Sequence, residues 1–420
     1  MVIFFYFDNT IRVLHQEIDY IYEHRFDGID MDQNPISFDR IYFSTPADFN
    51  NYMENIKEQI GEQSGNVHVV APEKIVTHPQ FPEHIGFQNL EEVVLKYRDR
   101  SIFKLAILNA MSNAIGDHLI GMQAFDYFYD QLQILMPGVE LEISLFQINP
   151  YRLNVITQRW AGKFKHIHLL PNCLTKLVEN DAFIDLGTLI LRENFGNQPM
   201  IDFFLEALSV DPKKVAPERK RMQFRPSDVA MEHFKPIFHN LRLKGRPILL
   251  FHHTATTTVR QMTEPRARIF VNSIIENSDY FVVSADHLDF SHKRFRNLNP
   301  YSKRGINHFA AIIANVDAII SVDTLTYHLA DALDIPTVVM FTTIEPEHRI
   351  KYYPFTEAIM LEKQDGCLYG KHKGTTDPEK AREEILYLDK KWETVDIPEV
   401  LQLLEKVKIC KCANRRRIPT

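Results

Sequence analysis

The sequence has few cysteines, no long uncharged apolar run and no excess of basic residues. Four cysteines in 420 residues are too few for a disulfide framework in a chain of this length. No stretch approaches the roughly 18 uncharged apolar residues that a membrane-spanning helix needs, and the apolar start at residues 1–7 lacks the basic leader of a signal peptide. The net charge of −7 argues against nucleic-acid binding. We therefore expect a cytoplasmic globular protein.

The C-terminal part, residues 366–420, contains three of the four cysteines and a cluster of basic residues. The basic residues are Lys406, Lys408, Lys411, Arg415, Arg416 and Arg417. We interpret this part as a helical segment with a solvated basic tail, and contact with anionic lipid at the inner face of the membrane is the alternative. Cys367, Cys410 and Cys412 lack the Cys-x-x-Cys spacing that preorganises a metal site. No metal site is therefore expected.

From residue 101 onward, short β-rich runs alternate with longer amphipathic stretches, which is typical of parallel α/β domains. For residues 101–240 we predict strands at 103–108, 139–145, 166–170 and 182–186 and a helix at 119–135. A basic segment with Gly and Pro at 241–247 marks a break. For residues 245–365 we predict strands at 248–251, 280–284, 318–322 and 337–341 and helices at 267–275 and 306–314. The pattern predicts two Rossmann-like domains that face a cleft at the carboxyl ends of their strands.

Residues 1–100 do not follow this alternation, and we predict a small appended α+β or β-rich module there. Its β-type runs are at 41–43 and 67–70. It also contains Asp30-Met31-Asp32, the spacing with which metal-dependent sugar transferases hold a divalent ion. A three-residue pattern often arises by chance, so a solvated acidic loop is the preferred interpretation.

Gly116, Asp117 and His118 follow the first predicted strand of the 101–240 domain, where open α/β sheets present functional groups. Gly116 would let the backbone turn tightly or approach a ligand closely. Asp117 could then act as a general base for an attacking hydroxyl group. A helix N-cap is an equally good interpretation of Asp117.

A strand followed by Asp323, Thr324 and a helix predicts a phosphate site in the second domain. Asp323 and Thr324 can cap the helix, and its N-terminus offers free N–H groups and the positive end of a dipole. His328 lies one helical turn after Thr324 and could donate to a diphosphate oxygen. The alternative is a capped core helix whose histidine has an ordinary hydrogen-bond partner.

Two further loops follow strands of the second domain. Thr256, Thr257 and Arg260 offer hydroxyl groups and a guanidinium that suit an anionic diphosphate, although a threonine-rich turn can be only a turn. Asp286 and Asp289 follow the next predicted strand, where an acidic side chain commonly holds ribose hydroxyls. Either one is equally a loop residue.

Together these segments resemble glycosyltransferase family nine, the ADP-heptose:lipopolysaccharide heptosyltransferases. The run from Asp323 to Thr337 is similar to the family pattern Asp-Thr-x-x-x-His-Leu-Ala-x-Ala-Leu-x-x-Pro-Thr. Residues 115–117 resemble the loop that activates the acceptor. His253 to Arg260 resembles the phosphate loop, with Arg260 in place of a lysine. The resemblance covers residues 101–365.

The resemblance implies a GT-B type fold and an inverting, metal-independent transfer of a sugar to a hydroxyl group. The sugar would be heptose from an ADP-heptose-type donor, and the acceptor a lipopolysaccharide or a protein. Asp117 would be the base. Thr256, Arg260, Thr324 and His328 would stabilise the departing diphosphate. No cofactor is implied beyond the nucleotide-sugar substrate, and a homo-oligomer is compatible with the sequence.

Departures from the family pattern keep two other functions open. Leu325 replaces the glycine that usually follows Asp-Thr, and residues 342–344 replace a Gly-Pro-Thr. The related heptosyltransferases that modify autotransporter proteins have a paired-cysteine iron site, which this sequence does not reproduce. The alternatives are a nucleotide-sugar epimerase of similar fold and an inactive nucleotide-sugar-binding or assembly protein.

Overall fold

A computed structural model describes most of the chain between residues 89 and 415. The described residues are 83–85, 89–108, 115–147, 160–169, 177, 179–186, 197–256, 258–299, 305–361 and 390–415, with isolated strands before and between them. Contacts divide the chain into two units, Met1–Ala216 and Pro217–Thr420. The division comes earlier than the break expected at 241–247, because the helix Asp228–Arg242 packs on the helix Ile306–Ala314 of the second unit.

Six short strands are among the described residues in the first 70 positions of the chain. They are β1 (Val2–Phe4), β2 (Ile21–Glu23), β3 (Phe26–Ile29), β4 (Pro35–Phe38), β5 (Arg40–Tyr42) and β6 (His68–Val70). β3 and β4 form an antiparallel pair, and β1, β5, β2 and β6 lie side by side in that order. The two predicted β-type runs coincide with β5 and β6. Asp30-Met31-Asp32 lies outside the described residues.

The first unit also contains a parallel five-stranded sheet. Its elements are β7 (Glu83–His84), α1 (Leu90–Leu95), β8 (Ile102–Leu108), α2 (Ile115–Leu135), β9 (Glu140–Gln147), β10 (His166–Leu169), β12 (Ala182–Asp185) and α3 (Met200–Ala207), with a strand β11 (Asn172–Cys173) that pairs with β1. The strand order is β10-β9-β8-β12-β7. α2 packs on α3 and buries Phe125, Phe128 and Leu132, whose spacing of three and four residues places them on one helical face.

The second unit has a six-stranded parallel sheet. Its elements are α4 (Asp228–Arg242), β13 (Ile248–His252), α5 (Glu264–Asn277), β14 (Phe281–Ser284), β15 (Phe295–Asn297), α6 (Ile306–Ala314), β16 (Ala318–Val322), α7 (Leu325–Ala332), β17 (Thr337–Phe341), α8 (Glu347–Ile350), β18 (Thr356–Met360) and α9 (Ile397–Arg415). Short 3-10 helices occur at Pro217–Lys220 and Thr258–Arg260 in this unit, and at Ala161–Lys163 and Pro212–Lys214 in the first unit.

The strand order of the second sheet, β15-β14-β13-β16-β17-β18, is the doubly wound Rossmann order. The chain runs outward from β13 through β14 to β15, and then returns to β16 on the other side of β13. This reversal is a topological switch point, where open α/β sheets bind ligands at the carboxyl ends of their strands. The predicted Rossmann-like α/β architecture is confirmed for both units.

The core of the second unit lies on both faces of this sheet. Every residue of β13, β16 and β17 is buried, as expected for central parallel strands covered by helices. α9 closes one side with Val400 and Leu404, which are fully buried against the cluster that contains Leu249 and Phe251. Among the described residues, none of the helices combines the length and the hydropathy needed to cross a membrane.

Candidate functional site

The polar residues of the second unit gather at the carboxyl ends of β13, β14 and β16, on both sides of the switch point. His252 ends β13, Asp286 follows β14, and Asp323 follows β16. The ends of neighbouring parallel strands meet at one edge of a sheet, and hydrogen bonds join residues of these three segments. The segment from Asp323 to His328 therefore lies where the sequence predicted a ligand site.

The first turn of α7 differs from the capped helix that the sequence predicted. Thr324 occupies the N-cap position with φ −154° and ψ 177°, but its side chain makes no capping hydrogen bond. Asp323 accepts a hydrogen bond from the Tyr327 hydroxyl at 3.0 Å and forms an ion pair with Arg260 at 3.4 Å. The prediction that these two side chains cap the helix is wrong, because Asp323 bonds to other side chains. The first amides of α7 are thereby left for another acceptor.

His328 lies in the interior of the unit and carries no charge near neutral pH. Burial lowers its pKa well below 6.5, and the positive charges of Arg349 and Arg260 lower the pKa further. Its Nδ1 is 2.7 Å from the hydroxyl oxygen of Tyr353. When Tyr353 donates this hydrogen bond, Nε2 keeps the ring proton and becomes a donor. His328 thus has an ordinary hydrogen-bond partner, as in the alternative interpretation, and its role as a diphosphate donor stays a prediction.

His252, Asp286 and Thr326 form a hydrogen-bonded chain at the switch point. Nε2 of His252 lies 2.5 Å from Oδ2 of Asp286, and Nδ1 of His252 is hydrogen-bonded to the Thr326 hydroxyl. The Thr254 hydroxyl also donates to Oδ2 of Asp286. Burial by itself would raise the pKa of Asp286, but the hydrogen bond and charge of His252 outweigh it and lower the pKa below its usual range. Asp286 is therefore an ionised, oriented carboxylate.

His253 is the next residue along the chain and is only 3% exposed. Its ring stacks on that of Phe251, with 5.9 Å between ring centroids. Among the described residues, its Nδ1 has no hydrogen-bond partner. Burial lowers the pKa of His253 from 6.5 to about 4. The residue is thus a neutral histidine in the wall of the site.

The predicted phosphate loop is only partly brought to the site. Arg260 is half-buried and reaches Asp323, and the Thr342 hydroxyl ties the loop to the end of β17 by donating to the Val259 carbonyl at 2.7 Å. Thr256 is exposed, and Thr257 lies outside the described residues. Arg260 is the loop residue that the structure brings to α7.

Asp289 does not join the cluster around His252. Its side chain is 83% exposed and lies 3.8 Å from Arg268, a residue of α5. Its backbone amide donates to Glu264 at 3.0 Å. Of the two acidic residues predicted to hold ribose, Asp286 contacts His252 at the switch point, whereas Asp289 contacts residues of α5.

The candidate base and its neighbours lie in the first turn of α2 in the first unit. Gly116 and Asp117 are half-buried and His118 is buried. The predicted tight turn at Gly116 is wrong, because α2 begins at Ile115 and Gly116 is already helical. Residues 109–114, which connect β8 to α2, lie outside the described residues. The role of Asp117 as a base stays a prediction.

No group of three or more His, Cys, Asp or Glu side chains that could hold a metal ion occurs among the described residues. Cys410 is an exposed free thiol on α9, and Cys367 lies outside the described residues. Lys406 pairs with Glu357 at 2.7 Å, and Lys408 pairs with Glu405 at 2.7 Å. The Lys406 side chain is 61% exposed and solvated, as predicted, whereas that of Lys408 is 31% exposed, because α9 packs on the sheet of this unit.

Sequence reasoning did not identify Tyr353, Arg349 or the pairing of His252 with Thr326. Arg349 and Tyr353 lie 21 and 25 positions after His328, and no regular spacing connects them to it. His252 carried a signal, because it is a polar residue at the end of an otherwise apolar strand. Its partners on two other elements were visible only in the fold.

Comparison with known proteins identifies the family of the segment that forms much of this site. Residues 277–378 match the family model for Glycosyltransferase family 9 (heptosyltransferase). The match includes β14, β16, α7 and β17, and with them Asp286, Asp323, Thr324 and His328. The predicted resemblance to this family is confirmed for this part of the chain. A search of curated protein sequences found no match.

Solved structures with a similar arrangement include several heptosyltransferases. E. coli ADP-heptose lps heptosyltransferase II is 15% identical, with a TM-score of 0.44, and the alignment covers 70% of this chain and 100% of that one. The iron-containing dodecameric glycosyltransferase TibC from enterotoxigenic E. coli H10407 is 10% identical, with a TM-score of 0.45, and covers 92% and 91%. UDP-GlcNAc 2-epimerase from Methanocaldococcus jannaschii is 11% identical, with a TM-score of 0.37, and covers 68% and 92%. The fold of this chain is assigned from its own strand order.

Proposed function

We propose that this protein is an inverting, metal-independent glycosyltransferase that moves a sugar from a nucleotide-sugar donor to a hydroxyl group. The sugar is heptose from an ADP-heptose-type donor, and the acceptor is a lipopolysaccharide or a protein. The match of residues 277–378 to the family model supports a glycosyltransferase. The observation that carries the proposal is that the matched segment holds Asp323 to His328 at the switch point of a Rossmann-ordered sheet.

The donor diphosphate would bind at the first turn of α7. Uncapped amides, the positive end of the helix dipole and Arg260 all favour a doubly charged group at this position. Arg349 adds positive charge near His328. Negative charge grows on the diphosphate as the glycosidic bond breaks, so donors that are already oriented stabilise the transition state more than the ground state. These groups supply the stabilisation that a metal ion provides in metal-dependent transferases.

The acceptor reaction would be a single displacement. The acceptor oxygen attacks the anomeric carbon from the side opposite the diphosphate, the bond to the diphosphate oxygen breaks, and the configuration inverts. Asp117 takes the proton of the attacking hydroxyl. The proposal places the reaction in the cytoplasm, and at the inner face of the membrane when the acceptor is attached to lipid.

Thermal unfolding in the presence of ADP-, GDP-, UDP- and dTDP-sugars tests the donor. A ligand that binds only the native state raises the melting temperature by mass action. We expect the ADP-sugar to give the largest increase. Equal melting temperatures with all four donors would contradict nucleotide-sugar binding.

Turnover assays then test the transfer with the preferred donor. We expect Asp117→Ala and His328→Ala to lower donor consumption in the presence of acceptor by about a hundredfold or more, because each removes a group that acts in the transition state. Asp279→Asn, at an exposed ion pair with Arg246, is the control and should keep full activity. Undiminished transfer by both variants would overturn the assignment. Isomerisation of the donor without acceptor would instead identify an epimerase.

A further inference from the structure

Three polar side chains from three elements form a continuous hydrogen-bonded chain across the switch point. His252 ends β13, Asp286 follows β14, and Thr326 lies in the first turn of α7. His252 bonds to Asp286 through Nε2 and to Thr326 through Nδ1. Because β13 lies between β14 and β16 in the sheet, its last residue can join the loop after one neighbour to the helix after the other.

The chemistry of the carboxylate fixes the direction of one of these hydrogen bonds. An ionised carboxylate only accepts, so Nε2 of His252 carries a hydrogen. Nδ1 of the same ring pairs with the Thr326 hydroxyl, which is fully buried. The ring of Phe309 stands edge-on to that of His252, with centroids 5.4 Å apart. The imidazole is therefore held in one orientation, with both nitrogens in use.

The first turn of α7 is held by side-chain bonds on two sides. Thr326 is fixed by His252, and the next residue, Tyr327, is fixed by Asp323, which also meets Arg260. No cap formed by the Thr324 side chain contributes to this turn. The directions of the first amides of α7 consequently depend on these lateral bonds. Because His252 bonds to Thr326 and to Asp286, and Thr254 donates to Asp286, the directions of these amides also depend on Asp286 and Thr254.

We propose that His252 is a positioning residue for the donor diphosphate. Through Thr326 it holds the first turn of α7 in the orientation in which the helix amides receive the diphosphate. Through Asp286 it connects the loop after β14 to the same helix turn. It does not contact the reacting atoms. This inference rests on the proposed function, because it assumes that a nucleoside diphosphate binds at α7.

Removal of a single hydroxyl tests the inference. Thr326→Val keeps the shape of the side chain but cannot bond to His252, whereas Thr326→Ser keeps the hydroxyl. Binding of ADP is measured by isothermal titration calorimetry, with GDP, UDP and dTDP tested in the same way. We expect the dissociation constant of the preferred nucleotide to rise about tenfold in Thr326→Val, the size of effect that loss of one buried hydrogen bond produces. Thr326→Ser should stay within about twofold of the wild type.

A matched control separates positioning from stability. Thr337 is also fully buried in this sheet, and its hydroxyl donates to the Ile335 carbonyl at the opposite end of the strands, at 2.8 Å. Thr337→Val should lower the melting temperature but leave nucleotide affinity unchanged. His252→Leu provides a second variant. Its effect and that of Thr326→Val should not add in the double variant, since both break the same bond.

The outcomes distinguish this inference from the proposed function. Wild-type affinity in Thr326→Val, or an equal loss of affinity in Thr337→Val, would overturn the positioning role and leave the proposed function intact. Additive losses in the double variant would also overturn it, because they would show that the two residues act separately. A wild-type protein that binds none of the four nucleotides would overturn both.

Discussion

At the scale of single residues, the site is built from side chains whose charge state is set by burial. His253 and His328 are both buried histidines with lowered pKa values, and Asp286 is an ionised carboxylate with a lowered pKa. Neutral imidazoles avoid the desolvation cost of a buried charge. Arg260 and Arg349 supply positive charge near His328. A diphosphate would meet these two guanidinium groups, and Asp323 offsets part of the charge of Arg260.

Acid should destabilise the protein through His253. In the unfolded chain its pKa is about 6.5, and in the folded protein about 4, so the unfolded state binds the proton first as the pH falls. The stability that His253 contributes is complete above pH 6.5 and is lost between about pH 6.5 and 4. The full loss corresponds to about 3 kcal/mol.

Urea unfolding of wild type and His253→Gln between pH 8 and pH 4 measures this contribution. The difference between their free energies of unfolding should be constant above about pH 7. At lower pH the wild type should lose up to about 3 kcal/mol of stability that the variant does not lose. The plateau at high pH is the internal control. A difference that does not change with pH would show that His253 is not the acid-sensitive group.

At the scale of elements, α7 is fixed at both ends by residues distant in sequence. Its first turn bonds to His252. At its C-terminal end, Arg221 lies 2.6 Å from Asp334, just after the helix, and 3.2 Å from Asp331 in the last turn. The Met222 amide donates to Asp331 at 2.8 Å. Burial raises the pKa of Asp331 to about 7, and Arg221 opposes this by stabilising the carboxylate. The segment that opens the second unit is thereby tied to the helix of the proposed donor site.

Loss of Arg221 should be far more costly than loss of a surface arginine. Arg221→Ala removes the partner of the fully buried Asp331 side chain and the 2.6 Å contact to Asp334. We expect the free energy of unfolding to fall by about 3 kcal/mol. Arg246→Ala breaks an exposed Arg–Asp pair with a similar 2.6 Å contact and should cost less than about 1 kcal/mol. Chemical denaturation at neutral pH measures both.

The double variant Arg221→Ala/Asp331→Asn completes this experiment. It removes the buried charge together with its partner, so part of the lost stability should return. Equal costs for Arg221→Ala and Arg246→Ala would contradict a buried ion pair at α7.

The elements themselves were predicted well where one local pattern sufficed. The runs at 318–322 and 337–341 are apolar and rich in β-branched residues, and β16 and β17 have those bounds. The sequence predicts the start of α2 at residue 119, whereas the helix begins at Ile115, because Gly116 and Asp117 suggest a turn when considered alone. The partners of Asp323, His328 and His252 were not predicted, since each comes from another element and depends on how the chain returns to the sheet.

At the scale of the whole molecule, each unit has its own parallel sheet, and the second has the full Rossmann order. This order places β13 at the centre and makes the switch point a property of the topology rather than of any one loop. The family match covers every strand of that sheet except β13. The fold therefore explains why residues from widely separated segments meet at α7.

The closure of the second unit by α9 gives a prediction at this scale. Leu404 is fully buried in the main core cluster, so Leu404→Ala should lower the free energy of unfolding by about 3 kcal/mol. Ile409, on the same helix, is 69% exposed, and Ile409→Ala should change it by less than about 0.5 kcal/mol. Urea titrations of the two variants measure the difference. Similar small effects would mean that α9 does not complete the core.

The position of α9 also bears on how the protein is made. Leu249 and Phe251 on β13 share a core cluster with Val400 and Leu404, and α9 contacts β17, β18 and α5. This core is therefore complete only when a segment about 150 positions after β13 has been synthesised. Domains fold as units while they emerge from the ribosome. The second unit must therefore wait, with an apolar face open, until residues near 404 leave the exit tunnel. During that interval a nascent chain would need the protection that chaperones give to exposed apolar surface.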